Sequence, residues 1–172
     1  MKKSISFLSL IIAFLLLLCG CKSNAQFPST VGCEDILNAA ISVTNAPEFE
    51  HEYLKSKNNL DSFSLSLWSD GLFTESDEFA LLDDYAIYVS AGTTTYEVAV
   101  LKAKSDDDTE KLLSLIEKRK LTISQGDKGM YDPDFQMRMD NSVLKVDGRF
   151  VIFLLTDNND DAVAAVEELK VK

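Results

Sequence analysis

The chain has one histidine, His51, in 172 residues. Histidine-based zinc sites need several ligands at set spacing, so that class of centre is excluded. Cysteine is nearly as scarce, at three residues. Cys19 and Cys21 lie at the end of an apolar leader, which leaves Cys33 alone and no internal disulfide to form. Basic residues are also few: 17 Lys plus Arg stand against 28 Asp plus Glu. Nucleic-acid binding needs clustered cations that displace counterions, and so does direct binding to an anionic membrane surface. Neither is expected here. The acid excess is compatible with a cation or a basic partner, and its plainer meaning is solubility. No Gly-x-Ser-x-Gly elbow, phosphate loop or glycine-rich dinucleotide fingerprint occurs. Long apolar runs are missing as well. The longest, from Ile5 to Leu18, is about 14 residues, against the roughly 20 that a spanning helix needs.

What is present begins with that run. Met1-Lys2-Lys3, the apolar stretch and Leu17-Leu18-Cys19-Gly20-Cys21 form a secretory signal peptide that ends in a lipobox. Gly20 is small enough for the cleavage pocket, and the thiol of Cys21 takes the lipid. The expectation is a signal peptide over 1–20, a lipidated tether over 21–29 and one domain over 30–172. Diacylation of Cys21, with palmitate among the chains, adds about 0.8 kcal/mol per buried CH₂, enough for stable anchoring. The protein is then expected on the outer face of the cytoplasmic membrane, with membrane lipid as its partner through Cys21. Loss of Lys2 and Lys3 leaves 15 basic against 28 acidic residues.

The domain pattern is mixed. Cys33, Ile36, Leu37, Ala40 and Ile41 share one helical face, which predicts a helix over about 32–43 with Cys33 in the core. Pro47 suits the first turn of a second helix, with Phe49, Tyr53 and Leu54 inward and His51 outward. Residues 60–82 fit strand and helix periods alike. Strands are expected over 85–90 and 96–104, then a helix capped by Asp107 with Glu110 completing a capping box. Asp132-Pro133 opens a short turn or helix. Val143 to Val146 and Arg149 to Thr156 flank Asp147-Gly148, a hairpin signal. A last helix runs over about 160–170. The order is ββα followed by ββα, a weak internal repeat. It predicts an α+β domain with an antiparallel-rich sheet of about four strands and helices packed on it. Phe150 to Leu155 is apolar on both faces, which places it centrally. Apolar residues on both faces of the sheet also suggest that one face is left partly open to a partner.

Candidate sites are few. Asp157, Asn159, Asp161 and Glu168 occupy positions 1, 3, 5 and 12 of a calcium-loop template. Ala162 stands where the template needs glycine, and a strand precedes the cluster, so capping of the last helix is the simpler role. Asp106-Asp107-Asp108 fits the same role on the preceding helix. Cys33 and His51 are a conceivable nucleophile and base, but the periodicity puts one inward and the other outward. Tyr85, Tyr88, Tyr96 and Tyr131 suit an interface, though core or sheet packing is the simpler explanation.

The segment Leu82-Asp83-Asp84-Tyr85-Ala86-Ile87-Tyr88-Val89-Ser90, then Glu97 to Lys104, Tyr131 and Asp147-Gly148-Arg149-Phe150-Val151-Ile152, resembles a family of small lipoproteins from Gram-positive bacteria catalogued as domain of unknown function 4358. The resemblance covers about residues 30–170 and implies a secreted ββα arrangement behind a lipobox. It brings no activity and no functional residues with it. The expectation is therefore a non-catalytic binding or accessory module without cofactor, with an unidentified protein at the cell surface as partner. The alternatives are a calcium-binding protein and a thiol enzyme using Cys33.

Overall fold

The computed structural model describes residues 25–46, 66, 68–69, 72, 78–90, 94–126 and 130–171. The expected second helix, with Pro47 and His51, lies outside them, as do Gly20 and Cys21.

The elements are α1 (Cys33–Ser42), a 3₁₀ turn (Phe79–Leu81), β1 (Leu82–Val89), β2 (Glu97–Ala103), α2 (Asp106–Gln125), α3 (Phe135–Asp140), β3 (Val143–Asp147), β4 (Phe150–Leu155) and α4 (Asn159–Glu167). The strands form one antiparallel sheet in the order β1-β2-β4-β3. The fold is α+β. β4 lies between β2 and β3, and all six of its residues are buried, as its unbroken apolar run requires.

The period of two in the strands sorts the core into two layers. Ala86, Tyr88, Val98, Val100, Phe150, Ile152 and Leu154 face α1 and α4. Tyr85, Ile87, Ala99, Leu101, Val151, Phe153 and Leu155 face α2 and α3. Pairs across the register keep to one face, such as Val100 with Ala86 and Ile152, or Leu101 with Tyr85 and Val151. Both faces are therefore covered, and the expected open face is absent. A strand apolar on both sides needs a layer on both sides, and the N-terminal and C-terminal helices supply the second one.

The ββα repeat survives in element order but not as a symmetry. α2 follows β2 onto one face, whereas α4 follows β4 onto the other. β2 and β3 both run antiparallel to β4, hence parallel to each other, so α2 and α3 must carry the chain across a face between them. α4 has no further strand to reach and joins α1 instead.

Local chemistry sets the ends of the elements. The cap of α2 is Ser105, whose hydroxyl accepts from the Asp108 amide (3.3 Å), two residues earlier than the expected Asp107. Asp106, Asp107 and Asp108 fill the first turn, where carboxylates favour the helix dipole. Gly126 ends the helix. Asn158 caps α4 by accepting from the Asp161 amide (3.4 Å). The β3–β4 turn needs Gly148, whose φ is +54°.

The N-terminal segment belongs to the fold earlier than expected. Gln26 and Val171 exchange both backbone hydrogen bonds (3.1 and 3.0 Å), and Phe27 packs edge-on to Phe150 (5.3 Å between centroids). This pairing sits at the end of the sheet that holds the β3–β4 turn and the start of α2. The opposite end holds Ser90, residues 94–96, the exit of β4 and Asn45.

Candidate functional site

The buried polar residues concentrate at that opposite end. Glu97 opens β2 on the α2 side of the sheet and is 2% exposed. Arg119 of α2 reaches it with Nη2 at 2.9 Å from Oε2 and Nε at 3.5 Å from Oε1. The Trp68 indole N–H donates to Oε1 (3.1 Å), and the guanidinium lies 5.5 Å from the Trp68 ring centre. The pair is buried on the face of the sheet whose apolar core includes Trp68, Val89, Leu115 and Ile123. A buried carboxylate is tolerable only when paired and hydrogen-bonded, and here both conditions hold.

Two residues earlier, the Thr95 amide donates to Asp132 Oδ2 at 2.6 Å. Asp132 also accepts from the Asp134 amide (3.1 Å) and from Arg138 Nη2 (2.5 and 2.6 Å). Burial acts to raise the Asp132 carboxyl. The amides of Thr95 and Asp134 and the Arg138 guanidinium outweigh that and hold it below its ordinary value. Asp132 thereby fastens the loop before α3 to the start of β2. The Thr95 hydroxyl and Arg138 Nε are buried, with no hydrogen-bond partner among the described residues.

Chemically, these carboxylates are committed. Each is paired with a guanidinium and accepts further hydrogen bonds, Glu97 from the Trp68 indole and Asp132 from the amides of Thr95 and Asp134. Neither pair was singled out from sequence. A signal for one exists: Leu112, Ile116, Arg119 and Ile123 fall on one helical face, and a charge on an apolar stripe implies a buried partner.

The residues that sequence did single out are dispersed. Cys33 is fully buried in the α1 layer. Burial, then the neighbouring Asp84 carboxylate, push its thiol far above the ordinary range. Asp84 is held there by the Cys33 amide (3.1 Å). The calcium-template residues turn to separate partners. Asp157 accepts from the Asn45 amide (3.3 Å) and side chain (2.7 Å), which ties the end of α1 to the exit of β4. Asn159 accepts from Thr156 and donates to the Asn141 carbonyl (2.7 Å). Asp161 pairs with the cap Asn158 (2.5 Å), and Glu168 is exposed past the end of α4. Among the described residues no group of three metal-ligating side chains converges. Tyr85, Tyr88 and Tyr96 are buried in the sheet, with Tyr88 edge-on to Tyr96 and the Tyr96 hydroxyl bonded to Thr44. Tyr131 departs from them at 67% exposure, beside Met130 at 77% and near Met137 at 48%.

No helix of the described residues is long and apolar enough to cross a membrane. No curated protein and no solved structure matches the chain. The matching family model, described as Domain of unknown function (DUF4358), spans residues 78–156, so the resemblance to that family is carried by the four strands with α2 and α3, while α1 and α4 lie outside it.

Proposed function

We propose that the chain is an extracytoplasmic lipoprotein, lipidated at Cys21 and held on the outer face of the cytoplasmic membrane, whose domain is a non-catalytic binding or accessory module. The lipobox Leu17-Leu18-Cys19-Gly20-Cys21 behind a short apolar run carries this reading. The pairing of Gln26 with Val171 supports it, because the domain begins only five residues after the acylated cysteine. The committed carboxylates and the buried Cys33 thiol support the non-catalytic part. Exposed Met130, Tyr131 and Met137, away from the tether end, support a binding role, since single solvated aromatics and methionines suit adaptable contacts.

Metabolic labelling with a palmitate analogue tests the anchor. The wild-type chain is expected to label and to sediment with membranes, and Cys21→Ser to do neither. A Cys21→Ser chain that still labels and stays membrane-bound overturns the reading. In-cell photo-crosslinking from position 131 tests the binding role. A discrete adduct that is absent from an equivalent probe at Glu117, on the exposed side of α2, is the expected result.

A further inference from the structure

We propose that the cleft at the tether end binds the headgroup of a zwitterionic phospholipid, so that the domain sits on the bilayer by that end. The proposal rests on the lipid-anchor reading for its biological setting but not for its test.

The cleft holds about 810 Å³ between the 25–31 segment, the β3–β4 turn and the start of α2. Gln26 and Phe27 form one side, and Lys102, Arg149 and Asp106 also line it. The two cations stand close together. Lys102 Nζ and Arg149 Nη1 lie 3.6 and 3.9 Å from the same Asp83 oxygen, so they are at most 7.5 Å apart. Both contacts are ion pairs too long to be hydrogen bonds, so Asp83 balances part of the charge without occupying the donors. Arg149 Nη1 donates to the carbonyls of Ala103 (3.1 Å) and Lys104 (2.8 Å), which steadies the fork and leaves its other donors unused among the described residues. Lys102 rests its ammonium 5.3 Å from the Phe150 ring centre and makes no hydrogen bond there. Two adjacent cations with spare donors match one phosphate, which accepts charge-assisted hydrogen bonds of about 2.8 Å from each.

Asp106 adds a negative charge to that of Asp83 and to that of Asp147, which also lines the cleft and is paired with Lys170. The Asp106 carboxylate lines the same cleft, is exposed in the first turn of α2, and has no ion-pair partner among the described residues. A phosphate on Lys102 and Arg149 with an ammonium toward Asp106 is the charge order of a phosphoethanolamine headgroup. An anionic headgroup would meet the same carboxylate and a strongly acidic chain. Position agrees with chemistry. Gln26 lines the cleft, and Cys21 lies five residues away, within about 18 Å even when extended. Acyl chains carried on Cys21 therefore bring headgroups to the cleft mouth without any change in the fold.

The test uses the full chain and dihexanoylphosphatidylethanolamine below its micelle concentration, followed by amide chemical shifts. Saturable shifts at Gln26 to Ser29 and at Asp147 to Arg149 are expected. Affinity should fall at least tenfold in Lys102→Gln, which removes no hydrogen bond of the fold, and further in Lys102→Gln with Arg149→Gln. Asp106→Asn should weaken phosphatidylethanolamine binding and strengthen that of phosphatidylmethanol, which carries the phosphate without the ammonium. Absence of saturable shifts overturns the proposal, and so does unchanged affinity in Lys102→Gln. Inorganic phosphate that reproduces the shifts at equal concentration also overturns it, by making the site one for free phosphate. Failure of the anchor shows separately, as loss of palmitate labelling, because this titration needs no acylation.

Discussion

Arg119 on α2 and Glu97 at the start of β2 form a two-pronged ion pair, closest at 2.9 Å, in which both side chains are almost wholly withdrawn from solvent. Such a pair is costly to break. Removal of one partner strands a charge in the core, at about 3–5 kcal/mol, whereas replacement of both by apolar groups of similar volume is close to neutral. Arg119→Met is therefore expected to lower unfolding free energy by about that amount, and Glu97→Leu with Arg119→Met to recover most of it. Urea denaturation of the two variants checks this. Equal losses in both would mean that the pair itself, with its Trp68 contacts, supplies net stability.

Asp132 makes stability fall in acid. Its folded-state carboxyl is held below the ordinary value of 3.8, so its contribution is fully present above that pH. The contribution is lost as the pH drops through the lower folded value. The Asp132→Asn chain should be less stable at neutral pH, and its stability should change less between pH 4 and about pH 2. Denaturant midpoints across that window decide it. A wild-type profile no steeper than that of the variant counts against the assignment.

Cys33 should resist alkylation in the native state. Its side chain is fully buried, and its thiol is held neutral by desolvation and by Asp84. Only the thiolate reacts with iodoacetamide. Mass spectrometry at neutral pH is expected to show modification in denaturant and almost none without it. Rapid native modification would restore the thiol-enzyme alternative.

Gly148→Ala should cost about 1–2 kcal/mol. The φ of +54° is disfavoured for residues with a Cβ, while nothing lies within 4 Å of where that Cβ would stand. The loss is therefore one of backbone conformation alone. Gly148→Asn should lose less, since asparagine tolerates the left-handed region. Thermal melts that rank alanine at or above asparagine would contradict this.

Calcium at millimolar concentration is not expected to raise the melting temperature. Asp157, Asn159 and Asp161 already serve the Asn45 tie, the Thr156 turn and the Asn158 cap. A ligand that binds only the folded state must raise its stability. A calcium-dependent rise that disappears in Asp157→Ala would establish the cation-binding alternative.

The local rules of the chain were legible in its sequence. The 3.6-residue stripe from Cys33 to Ile41 is α1, the alternation after Tyr96 is β2, and Asp147-Gly148 is the β3–β4 turn. The all-apolar run Phe150 to Leu155 is the central β4. These signals are visible because burial on one face imposes a period on neighbouring residues. Helix starts were less secure: Ser105, not Asp107, caps α2, since serine and aspartate offer similar acceptors within one turn.

Contacts between distant segments were a different matter. Only the tertiary structure places α2 and α4 on opposite faces of the sheet, which turns an apparent repeat into two unlike layers and closes the face expected to be open. Only it brings Glu97 to Arg119 and Trp68, Asp132 to Thr95, and Gln26 to Val171. The apolar stripe of α2 marks Arg119 as a buried charge, but nothing in the sequence names Glu97 as its partner, because the two lie on different elements. The sequence by itself thus determined the order and kind of the elements through local burial patterns. The tertiary structure decided which of the charged residues are core and which line a cleft, because that depends on which element the chain lays against each face.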